Sequence, residues 1–152
     1  MYRRKEEENH MSAFLQLPPR VHLGAGSLEE TGTAIKRLEA RRVLICTDSS
    51  LRKLGMTKAL EDCIAKTGVD IEITDQVMAE PSIEDVEKTL ASVPGGNIDL
   101  LIGLGGGSVM DTAKLISVLL GAPYTIQDIL KNSAPARKQV PTLMIPTTCG
   151  TG

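Results

Sequence analysis

Residues 100–114 read LLIGLGGGSVMDTAK. An apolar run meets three consecutive glycines, then a serine, then a segment patterned as a helix. The apolar residues of 98–104 are continuous and do not alternate with polar ones, the pattern of a strand buried on both faces. Such a strand needs helices above and below it. This one segment therefore directs the chain toward an α/β architecture.

The rest of the chain repeats the theme. RVLICTD at 42–48 is another continuous apolar run ending in a polar turn, DIEIT at 70–74 alternates, and TLMIP at 142–146 closes the series of strands. Between them lie helical patterns. One covers 27–40 and opens with Ser27 and Glu30 at capping-box spacing. A second, 51–66, is interrupted near Gly55. SIEDVEKTLASV after Pro81 predicts a second capped amphipathic helix, and further helices are expected over 108–120 and 126–131. FLQLPPRVHLG at 14–24 has two short alternating runs around Pro18 and Pro19 and predicts a bent strand or hairpin. Strands alternating with helices in this way predict a doubly wound, mostly parallel, Rossmann-like sheet.

A chain of 152 residues suffices for one domain with one core. With no Trp, one Phe and two Tyr, that core must be aliphatic. Seventeen basic against nineteen acidic residues leave a net charge of -2, which provides no electrostatic footprint for nucleic acid. Cys46, Cys63 and Cys149 are widely spaced and odd in number, so they form no disulfide framework and suit a reducing, cytoplasmic setting. His10 and His22 stand far from any cysteine cluster, so this chain is not expected to build a metal site. MYRRKEEENH runs into acidic residues instead of an apolar stretch and is no signal peptide. Residues 1–11 read as a solvated leader or tag and 12–152 as the domain. No apolar run approaches the length of a membrane span. IPTTCGTG at 145–152 is a strand followed by a glycine-rich turn. A covering helix is expected next, so the domain reads as truncated at its carboxyl end.

A buried strand that ends in GLGGGS and feeds a helix is suited to binding phosphate. Glycines permit positive φ and close approach of the main chain, and the first N–H groups of a helix lack internal partners. The dinucleotide fingerprint is matched in part: Gly103, Gly105 and Ser108 give G-x-G-x-x-S, after a late strand, with Tyr124 where an acidic residue is expected. It is not a P-loop, because Lys114 lies too far along. The other reading is a tight strand-to-helix turn, with Ser108 as N-cap and Asp111 closing an S-x-x-D box. Lys114 lies about 9 Å along the helix axis from the cap and is expected in solvent.

GGGSVMDTAK at 105–114 together with IPTTCGTG at 145–152 resembles the iron-containing, group III alcohol dehydrogenases, and LPPRVHLGAGSLEE resembles that family's opening segment. The resemblance covers only the amino-terminal, nucleotide-binding half. It implies that Gly106, Gly107 and Ser108 hold the pyrophosphate of NAD, with Asp111 at the edge. Thr147, Thr148 and Thr151 would line the site from the last strand. Asp48 would take the adenosine ribose hydroxyls and repel a 2′-phosphate; the alternative is a turn-initiating aspartate before Ser49 and Ser50. Cys149 reads as a small turn residue. The family's asparagine before proline in the loop after the second strand is replaced here by Glu80. The implied activity of the whole protein is NAD-dependent interconversion of a small alcohol with its aldehyde or ketone. The divalent metal, iron or zinc, would belong to a helical carboxyl-terminal domain. This chain alone is expected to be inactive. The resemblance also implies a homo-oligomer. The rival expectation is a non-catalytic nucleotide-binding module, or a fragment working with a partner chain.

Overall fold

The computed structural model describes residues 18–148. The expectations for residues 1–17, Cys149 and Thr151 fall outside the described residues. Four strands, β1 (Arg42–Cys46), β2 (Asp70–Thr74), β3 (Leu100–Gly105) and β4 (Thr142–Pro146), form one sheet in the order β2-β1-β3-β4. Every pairing is parallel. The helices are α1 (Glu30–Arg37), α2 (Ser49–Lys53), α3 (Lys58–Ala65), α4 (Ile83–Ala91), α5 (Gly107–Leu119) and α6 (Ile126–Lys131).

The central strands β1 and β3 explain the continuous apolar runs. Val43, Ile45, Leu100, Ile102 and Leu104 pack on one face with Ile35 of α1 and with Leu60 and Ile64 of α3. Leu44, Cys46 and Leu101 point to the other face, against Val109, Ala113 and Ile116 of α5. Each such buried side chain contributes about 1.5–3 kcal/mol. Burial on both faces leaves no polar side to alternate. A satellite cluster of Val86, Leu119 and Ile126 joins α4, α5 and α6. From β1 the chain moves outward to β2, then crosses back to place β3 on the other side of β1. The direction of winding therefore reverses between β1 and β3. Open α/β sheets bind ligands beyond the carboxyl ends of their strands at such a point.

Two expectations are corrected. Residues 18–24 carry no strand, because two adjacent prolines remove the N–H donors that a ladder needs. At 27–40 the capping box does not form: Ser27–Glu29 is a 3-10 turn entered through Gly26, whose φ of 83° only glycine adopts without strain. Real boxes open α4, with Ser82 and Asp85, and α6, with Thr125 and Asp128.

Thr112 of α5 is 1% exposed, and its hydroxyl has no hydrogen-bond partner among the described residues. An unsatisfied buried hydroxyl costs about 1–3 kcal/mol. Thr112→Val should therefore raise the urea midpoint, by about 1 kcal/mol of stability. The hydroxyl and backbone N–H of Ser82 hold the Asp85 carboxyl below its ordinary 3.8, and the N–H and hydroxyl of Thr125 act likewise on Asp128. A lowered folded-state pKa means stabilisation present above the unfolded value and lost as pH falls through the folded one. Thermal midpoints from pH 6 to 3 should accordingly fall less steeply below about pH 4 in Asp85→Asn/Asp128→Asn than in the parent.

Candidate cofactor site

The glycine turn is built for contact. An added Cβ at Gly103 would lie 2.9 Å from Met144 Sδ and 3.0 Å from the Ala113 Cβ, and at Gly105 only 2.5 Å from Val109 Cγ2. Both glycines let α5 lie directly on β3. Positive φ, expected from the sequence as one use of these glycines, is not needed: Gly103, Gly105, Gly106 and Gly107 are absent from the positive-φ residues, and Gly106 is extended at φ −80°, ψ −168°. Gly107 faces open space, with nothing within 4 Å of an added Cβ.

The alternative based on an S-x-x-D box is corrected as well. The N-cap of α5 is Gly106, which supplies no side-chain bond, and Ser108 lies inside the first turn. Ser108 Oγ instead accepts from the Glu80 N–H at 3.3 Å. Asp111 is exposed and meets Lys114 Nζ at 3.0 Å, so the lysine is solvated as expected. The first turn of α5 thus keeps its unpaired N–H groups and the positive end of its dipole without a protein acceptor from a capping side chain.

Two further strand ends meet this turn. Thr147 donates its N–H to the Gly105 carbonyl at 3.0 Å. Thr148 lies against Gly106, its Oγ1 3.4 Å from where a Cβ would stand. From β1, Thr47 and Asp48 follow Cys46 past the same carboxyl edge of the sheet, where Asp48 bridges to Gln76 on the β2 side. Asp48 caps α2 through Oδ1, which accepts from Ser50 N and Leu51 N, each at 2.9 Å. Its Oδ2 has no hydrogen-bond partner among the described residues, so the capping role leaves one oxygen for a ligand. Asp48, Gly106, Gly107, Ser108, Thr147 and Thr148 therefore converge at one edge of the sheet, with Asp111 one turn into α5.

Sequence reading missed Thr47. It is fully buried, and its hydroxyl donates to the Leu104 carbonyl at 2.9 Å, which ties the ends of β1 and β3 together. A lone hydroxyl at the end of an apolar run was the available signal. Cys46 is no nucleophile, since burial pushes its thiol up to about 12. Among the described residues no group of three or more His, Cys, Asp or Glu could hold a metal ion. His22 is half exposed, 3.8 Å from Glu30. Two concavities, one lined by Val21, His22 and Glu30 and the other by Asn97, Asp99 and Gln139, do not reach the glycine turn.

A family model described as iron-containing alcohol dehydrogenase matches residues 18–152. The chain belongs to this family. It is 36% identical over 143 residues to a long-chain-alcohol dehydrogenase of Geobacillus thermodenitrificans, covering 92% of this chain and 36% of that protein. It is 32% identical to an NAD-dependent methanol dehydrogenase of Bacillus methanolicus, over 90% of this chain and 36% of the relative. Among solved structures, an NADH-dependent butanol dehydrogenase A of Thermotoga maritima superposes with a TM-score of 0.80 at 25% identity, covering 93% of this chain and 36% of that one. This iron-containing alcohol dehydrogenase chain thus spans about a third of the length of the relatives it matches.

The glycines of the family motif separate by role. Gly105→Ala should cost about 1–3 kcal/mol, read as a lowered urea midpoint, because the new methyl overlaps Val109. Gly107→Ala should leave that midpoint unchanged or slightly raised.

Proposed function

We propose that the chain is the cofactor-binding part of an NAD-dependent dehydrogenase that interconverts a small alcohol and its aldehyde or ketone. The observation that carries this reading is the convergence of an uncapped helix start, a carboxylate oxygen and two threonines where the sheet changes winding direction. The residues fit a dinucleotide: Gly107 leaves open space above the first turn of α5, and Gly106 admits Thr148 alongside. In this reading the N–H groups at Gly106 and Gly107 and the Ser108 hydroxyl hold the pyrophosphate, with Asp111 at its edge. Thr147 and Thr148 give hydroxyls to phosphate or ribose. Thr151, to which the family resemblance gives the same part, lies outside the described residues. Asp48 Oδ2 accepts from the adenosine ribose hydroxyls, and its charge disfavours a 2′-phosphate, so NAD is preferred to NADP.

A bound nicotinamide supplies the hydride chemistry, and this part of the chain orients it. The alcohol must also lose a proton, which a divalent metal, iron or zinc, promotes by polarising its oxygen. We assign that metal to the portion of the family fold beyond these residues, and the chain alone is expected to show no turnover. A cytoplasmic location and assembly as a homo-oligomer belong to the same proposal. No helix among the described residues is long and apolar enough to cross a membrane.

The energetics require several contacts. A dipole-assisted phosphate contact contributes up to about 2 kcal/mol. Millimolar affinity already corresponds to about 4 kcal/mol. The α5 terminus therefore needs help from Asp48 and the threonines. Titration with NADH and NADPH, followed by nucleotide fluorescence against a chain lacking tryptophan, tests the reading. Saturable binding that favours NADH is expected, with a loss of about tenfold or more in Gly107→Leu at unchanged melting temperature. Equal binding by Gly107→Leu would move the ligand away from the glycine turn.

A further inference from the structure

Glu80 lies at the rim of this site in a conformation that side chains seldom adopt, with φ at 50°. Pro81 follows and disfavours the right-handed helical region for the residue before it. The backbone N–H of Glu80 donates to Ser108 Oγ at 3.3 Å, which joins the loop after β2 to the first turn of α5. With its oxygen accepting from Glu80, Ser108 directs its own hydroxyl proton elsewhere, as a donor. The same loop carries a carboxylate. Glu80 is exposed and pairs with no cation among the described residues. Because its N–H touches Ser108, the reach of one glutamate side chain bounds its charge to roughly 10 Å from the Ser108 hydroxyl, about one Debye length at 0.1 M ionic strength.

We infer that Glu80 sets the affinity of the site in two opposed ways: its backbone positions the Ser108 hydroxyl as a donor, and its carboxylate opposes the approach of the dinucleotide pyrophosphate. The inference rests on the cofactor reading above. It makes Glu80 an affinity-limiting residue that keeps nucleotide binding weak and releasable.

The test is NADH titration of the full chain, with inorganic pyrophosphate as a second probe. Glu80→Gln should tighten both by about two- to tenfold at low salt, and the gain should shrink toward nothing in about 1 M salt. Glu39→Gln, an exposed carboxylate before β1 at the opposite edge of the sheet, should change neither. Binding by Glu80→Gln where the parent shows none would count the same way. If parent and Glu80→Gln bind NADH equally at low salt, the inference is overturned and the cofactor reading stands. If neither folded protein binds either probe, both fail. Glu80→Gly should raise the melting temperature by releasing the left-handed strain. Should it also tighten binding with the same salt dependence, charge and not amide chemistry is responsible.

Discussion

The contact between α5 and β3 is the constraint on which the rest of this structure depends. Gly103 and Gly105 have no room for a methyl group, because Ala113, Met144 and Val109 already occupy it. A helix seated this closely begins directly above the end of its strand. Its first N–H groups then project past the carboxyl edge of the sheet and are not buried beneath it. Moving α5 outward to fit even an alanine would loosen Val109, Ala113 and Ile116 from Leu44 and Leu101. It would also shift the helix start relative to Thr147 and Thr148.

Short polar links hold the neighbouring strand ends in place around that helix start. Thr47 bonds the end of β1 to the Leu104 carbonyl, and Thr147 bonds the end of β4 to Gly105. Glu80 bonds the loop after β2 to Ser108. Each link lies beyond the last paired residues of its strand. These bonds join four segments far apart in sequence into one rim. The positive end of one helix dipole and the negative charges of Asp48 and Glu80 share that rim. In the reading proposed above, affinity there is a balance of opposed terms and not a sum of favourable ones.

Much of the fold was legible because its elements are written in strong local patterns. DIEIT, TLMIP and 126–131 coincide with β2, β4 and α6, and the break near Gly55 divides α2 from α3. The capped helix expected after Pro81 forms, with Ser82 and Asp85 making its box. The boxes at Ser27 and Ser108 do not, although their spacing is as good. A capping box needs its serine to be the first residue outside the helix, and here the N-caps are Glu29 for α1 and Gly106 for α5. At α5 the reason is traceable: Val109 must meet β3 beside Gly105, so the helix begins at Gly107 and leaves Ser108 inside it.

The order of residues alone specified an aliphatic parallel α/β sheet, a glycine turn where a strand meets a helix, and membership of the iron-containing alcohol dehydrogenases through two motifs. The first two are properties of periodicity, composition and local spacing, which survive without coordinates; the third rests on the likeness of those motifs to the family's own. Other properties had to wait for the folded chain. Asp48 could be a cap or a ligand contact, and the geometry shows one carboxylate oxygen engaged and the other unengaged. The glycines could serve backbone freedom or close packing, and the interatomic distances settle on packing at Gly103 and Gly105 and open space at Gly107. Thr47 entered only through a contact across 57 residues of chain, and the bond that ties Glu80 to Ser108 spans 28. No local pattern encodes such pairings, because strand order and helix seating bring them together only when the whole sheet has formed.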